Sequence, residues 1–73
     1  MRTNLQAARK AKGLTQEQMA EALGISLIYY QKIEAGDRIG NFRIWDMLED
    51  ITGVHQRKLR AMQETHPGQE DNR

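Results

Sequence analysis

Cysteine is absent from the 73 residues, which excludes a disulfide framework and a thiolate metal site and suits a reducing, cytoplasmic setting. No apolar run approaches the ~20 residues needed to cross a bilayer, and no signal-peptide pattern is present, so a soluble chain with no membrane partner is expected. The two histidines, His55 and His66, have neither cysteine nor clustered carboxylates beside them to complete a metal site. No nucleophile stands at a useful spacing from a base and an orienting acid, and no Gly-rich phosphate loop of the P-loop kind occurs. The chain is therefore expected to be no enzyme and to hold neither metal nor cofactor.

A large charge of one sign is also missing. Eleven basic and ten acidic residues leave a net charge of +1, so the total announces no nucleic-acid partner. Distribution says more: residues 1–43 carry seven basic against four acidic side chains, a balance of +3, and residues 44–73 carry four against six, a balance of −2. The basic excess in the first part fits contact with a polyanion, although a shift of this size also fits ordinary surface variation. At this length there is room for one core, and so small a core is stable only when its helices pack well or pair with a second copy, so a homodimer is expected.

What is present is a series of helix signals punctuated by glycine. A first helix is predicted from about Thr3 to Lys12, with Leu5, Ala8 and Ala11 inward and Gly13 past its end. Thr15 and Gln18 form a T-x-x-Q capping box that starts a second helix, whose Met19, Ala20 and Leu23 fall on one face, with Ala20 small enough for a close crossing. Gly24 suits the left-handed exit, Ile25 is the expected buried pin of the turn, and Ser26 caps a third helix to Ala35 with Tyr30 and Ile33 inward.

After the loop Asp37-Arg38-Ile39-Gly40, Asn41 is the expected cap of a fourth helix that reaches Thr52. Ile44, Leu48 and Ile51 form its apolar row, Met47 lies beside it, and Phe42 and Trp45 widen the stripe. Val54 and Leu59 anchor a short fifth helix, His55 to Met62, with Arg57, Lys58 and Arg60 exposed. Met19, Met47 and Met62 are read as packing residues. Residues 1–62 thus form one all-α, five-helix domain, and residues 63–73, polar and holding the only proline, read as a disordered tail.

The pattern Leu5, Arg9, Gly13-Leu14-Thr15-Gln16, Met19-Ala20, Leu23-Gly24-Ile25-Ser26, Tyr30, Ile33-Glu34, Gly36 and Arg38, with Gly53-Val54 and Leu59 further on, resembles the Cro and phage-repressor type of helix-turn-helix domain, the Xre family. The resemblance covers about three quarters of the chain and implies a lambda-repressor-like fold, a source in a bacterium, a phage or a mobile element, and double-stranded, operator-like DNA as the partner of a homodimeric transcriptional regulator. It implies that Arg9 and Glu34 form a structural ion pair. It further implies that Gln16 meets a phosphate at the start of the second helix, that Ser26, Leu27, Ile28, Gln31 and Lys32 face the major groove, and that Arg38, Asn41 and Arg43 hold a phosphate strand.

Leu27 and Ile28 depart from the family, whose side chains there are usually polar. Three readings are open: contact with thymine methyls, a patch that docks on a protein, or cover for core edges within the monomer. The second makes the chain an interaction module such as an antitoxin or adaptor. Asp37 is a further departure, because a carboxylate there repels the DNA backbone.

Overall fold

The chain alternates short capped helices with tight turns, and the computed structural model describes residues 1–62. Its order is α1 (Thr3–Ala11), α2 (Gln16–Leu23), α3 (Leu27–Ala35), α4 (Phe42–Thr52) and α5 (Gln56–Arg60), with no strand among the described residues. Residues 63–73, expected to be a disordered tail, lie outside that range.

Local chemistry sets most boundaries. Thr15 accepts from the Gln18 N–H while the Gln18 side chain accepts from the Thr15 N–H, so the capping box is complete. Ser26 and Asn41 cap α3 and α4 by accepting from the Tyr29 and Ile44 N–H groups. Gly24 ends α2 at φ +73°, a conformation that strains any residue with a Cβ. His55 caps α5 through Nδ1, which accepts from the Arg57 N–H.

Around one core pack Leu5 and Ala8 of α1, Met19, Ala20 and Leu23 of α2, Tyr30 and Ile33 of α3, Ile44, Trp45 and Leu48 of α4, and Leu59 of α5. Ile51, Met47 and Val54 line its edge, half-buried. The Trp45 indole N–H donates to the Ile39 carbonyl at 2.8 Å, fixing the α3–α4 loop over the core.

Several side chains sit elsewhere than expected. Ala11 is exposed, because the inward arc of α1 is completed by Arg9. Phe42 is 76 % exposed: a helical side chain leans over the turn that precedes it, and the first residue of α4 has no such turn to cover. Ile25 is half-buried at the edge of the core. The fifth helix begins one residue later than expected, with His55 as its cap, and ends at Arg60, whose carbonyl accepts from Arg2 Nε at 3.0 Å. Ala61 is extended, so Met62 lies beyond the helix; it is exposed, with its thioether end over Gly36.

Candidate nucleic-acid interface

α2 and α3 are held at a fixed crossing by the buried Ala20, Leu23, Tyr30 and Ile33, with the Ile25 N–H bonded to the Ala20 carbonyl at 3.0 Å across the turn. With Tyr30, Ile33 and Glu34 buried, α3 turns its other side to solvent. Ser26, Leu27, Ile28, Gln31 and Lys32 are all exposed there, as expected. Ile28 is 65 % exposed and stands clear of the core edge, whereas Leu27, 36 % exposed, is covered over most of its surface.

Beneath this face lies a buried charge network. Arg9 Nε donates to Glu34 Oε2 at 2.7 Å, and Arg9 Nη1 donates to the Leu14 carbonyl at 2.8 Å. The Tyr30 hydroxyl also donates to Glu34 Oε2. Glu34 is 1 % exposed, so its charge is held by these donors and by little water. Burial, and then the bond to Glu34, push the Tyr30 hydroxyl far above the ordinary tyrosine range and keep it protonated. The expected Arg9–Glu34 pair is therefore present, and it binds α1 to the end of α3.

The network reaches the surface through Gln16, whose Nε2 donates to Glu34 Oε1 at 2.9 Å. Gln31 Nε2 in turn donates to Gln16 Oε1 at 3.1 Å. This connection was not legible in the sequence, since it needs the α2–α3 crossing to bring residues fifteen apart into contact.

Beyond α3, Arg38, Asn41 and Arg43 are exposed, as is Asp37. The Asn41 side-chain oxygen is committed to the α4 cap, which leaves its amide nitrogen as the outward donor. Lys32, Arg38 and Arg43 are exposed cations, and Asp37 is an exposed carboxylate next to Arg38.

Sequence reasoning also missed Arg2, which is 6 % exposed. Its guanidinium donates to the carbonyls of Ile33 (2.6 Å), Arg60 (3.0 Å) and Arg38 (3.1 Å) and lies 5.2 Å from the centroid of the Trp45 ring. It thereby ties the ends of α3 and α5 and the following loop to α4. Desolvation and the nearby charge of Arg60 lower its pKa from the usual arginine value. The signal available was only that arginine donors suit the unsatisfied carbonyls at helix ends.

Among the described residues no group of three or more histidine, cysteine or acidic side chains is placed to hold a metal ion. His66 lies outside them. No described helix is long and apolar enough to cross a membrane.

Comparison with known proteins agrees with this architecture. A family model described as helix-turn-helix matches residues 5–55, from α1 to the cap of α5. The chain is 38 % identical over 55 residues to the uncharacterized HTH-type transcriptional regulator YazB of Bacillus subtilis (strain 168), a match that spans 75 % of this chain and 80 % of the relative. No solved structure matches at a comparable level of significance.

Proposed function

The chain belongs to the helix-turn-helix family, in its Cro- and phage-repressor-like branch, and from that premise we propose that it is a transcriptional regulator that binds operator-like double-stranded DNA with α3 in the major groove. The observation that carries the reading is the division of α3 into a locked inner side and a free outer side. Tyr30, Ile33 and Glu34 fix its position, and Ser26, Leu27, Ile28 and Gln31 are left for base edges, with Lys32 beside them. Leu27 and Ile28 serve as apolar contacts to thymine methyls. Lys32, Arg38 and Arg43, with the Asn41 amide, supply backbone contacts, and Gln16 retains a second N–H for a phosphate at the start of α2. As a homodimer the protein places one α3 in each of two major grooves about 34 Å apart. No catalytic role and no cofactor enter this reading, and DNA occupancy alone does the regulating.

The test is a salt titration of duplex binding by the wild type and by Lys32→Ala/Arg43→Ala. Each lost phosphate contact reduces the slope of log affinity against log salt by about 0.9, so the double variant binds more weakly with a slope shallower by about 2 per protomer. Unchanged affinity and slope in that variant would contradict the docking. No enriched duplex and no salt-dependent binding by the wild type would move the reading to a protein partner docked on the Leu27/Ile28 surface.

A further inference from the structure

We propose that Arg2 is a positioning residue for DNA contact: from inside the domain its guanidinium fixes the α3–α4 loop so that the Arg38 side chain is held ready for a phosphate. The proposal rests on the DNA-binding reading above and adds to it a residue that does not itself meet the duplex.

Arg2 is 6 % exposed, too deep for contact with DNA. What it touches is the end of α3 and the loop that follows. The last carbonyls of a helix lack partners within it, and Arg2 supplies two of them. Its backbone N–H donates to the Glu34 carbonyl at 2.8 Å, and its Nη1 donates to the Ile33 carbonyl at 2.6 Å. The same Nη1 donates to the Arg38 carbonyl at 3.1 Å. One nitrogen thus joins the end of α3 to the loop.

The backbone is held on both sides of the Arg38 side chain. The Arg38 N–H donates to the Lys32 carbonyl at 3.2 Å, and the Arg38 carbonyl accepts from Arg2. The next carbonyl, that of Ile39, takes the Trp45 indole N–H at 2.8 Å, and the Trp45 ring lies 5.2 Å from the Arg2 guanidinium carbon. Arg38 itself is exposed, with a long 3.4 Å contact from Nη1 to the Asp37 carbonyl that a phosphate can displace. A contact made from a loop already ordered loses less conformational entropy on binding.

The role needs the fork of a guanidinium rather than its charge. Nε reaches the Arg60 carbonyl at 3.0 Å while Nη1 reaches Ile33 and Arg38. A lysine keeps the charge but ends in one compact ammonium without that fork.

The test measures binding of a duplex selected by the wild type from a random pool, over a range of salt, for wild type, Arg2→Met, Arg2→Lys, Arg38→Ala and Arg2→Met/Arg38→Ala. Thermal melts set a temperature at which every variant is folded. Arg38→Ala makes the slope of log affinity against log salt shallower by about 0.9 per protomer. Arg2→Met and Arg2→Lys each weaken binding about fivefold or more and make the slope shallower in the same direction. In the Arg38→Ala background Arg2→Met changes affinity less than about twofold, an outcome that a general loss of stability does not produce.

A second measurement needs no DNA. In the free protein the Arg38 amide and the Trp45 indole N–H exchange slowly with solvent, and Arg2→Met accelerates both relative to the amides of α2. The proposal is overturned if Arg38→Ala leaves affinity and slope unchanged, or if Arg2→Met weakens binding by the same factor with and without Arg38. It is equally overturned if Arg2→Lys binds as the wild type does, which would leave only a charge effect, or if exchange in the loop ignores Arg2. A folded wild type that retains no duplex overturns the DNA-binding reading and the phosphate role together, and the exchange data then show separately whether Arg2 holds the loop.

Discussion

Replacing Arg9 by methionine leaves the Glu34 carboxylate, 1 % exposed, without its counter-charge. The Tyr30 hydroxyl and the Gln16 amide still donate to it, so the loss lies at the lower end of the range for breaking a buried pair, about 3 kcal/mol. A 73-residue domain has a total stability of roughly 4–11 kcal/mol, so this one change removes a large share, and the melting temperature falls by roughly 12–24 °C. Glu34→Met strands the Arg9 guanidinium in the same way and also leaves Tyr30 and Gln16 without an acceptor, at a cost of at least about 3 kcal/mol. The double variant leaves neither charge behind, and its loss is about 3 kcal/mol where additive losses would reach about 6 kcal/mol. Urea unfolding followed by fluorescence of Trp45, the single tryptophan and 2 % exposed, measures all three. Additive losses, or single losses below about 1 kcal/mol, would show that the pair behaves as an exposed surface ion pair and would refute the reasoning.

Arg2→Met removes a donor shared by three carbonyls and the contact with Trp45; a loss of about 2 kcal/mol in the same unfolding assay is expected, and a neutral result would reduce Arg2 to a surface residue. Tyr30 keeps its proton in the folded state far above the ordinary value because of burial and the bond to Glu34, whereas in the unfolded chain it ionises near pH ~10. Its contribution to stability is therefore complete below pH ~10 and declines as pH rises beyond that point. Melting curves taken from neutral to alkaline pH should show a steeper alkaline fall for wild type than for Tyr30→Phe, and parallel curves would contradict the assignment. A Cβ at Gly24 would meet open space, so Gly24→Ala tests backbone strain alone at φ +73° and should cost about 1–2 kcal/mol by denaturant midpoint, with α2 and α3 otherwise unchanged.

Reading the sequence succeeded where short-range chemistry decides the outcome. Thr15, Ser26 and Asn41 cap helices through an N–H three residues ahead, so their bonds depend on nothing distant. The apolar rows of α2 and α4 were legible because packing needs only periodicity. In α1 the same reasoning misplaced Ala11. At about 100° per residue, Arg9 lies closer to the direction of Leu5 than Ala11 does, but a charged side chain carries no apolar signal of its place on the inward arc. Arg2 was hidden for a related reason, since its burial depends on carbonyls at positions 33, 38 and 60 that only the tertiary fold assembles. The resemblance to known helix-turn-helix domains implied the Arg9–Glu34 pair, but it did not show that Gln16 and Gln31 extend that pair to the surface.

The most direct test of the central claim is selection of duplexes from a random pool, followed by a salt titration of whatever is retained. The account predicts a palindromic motif with half-site centres about one helical turn apart and a steep fall of affinity with salt. Retention of no motif, with no salt-dependent binding, would contradict it and make the exposed side of α3 a surface for a protein partner.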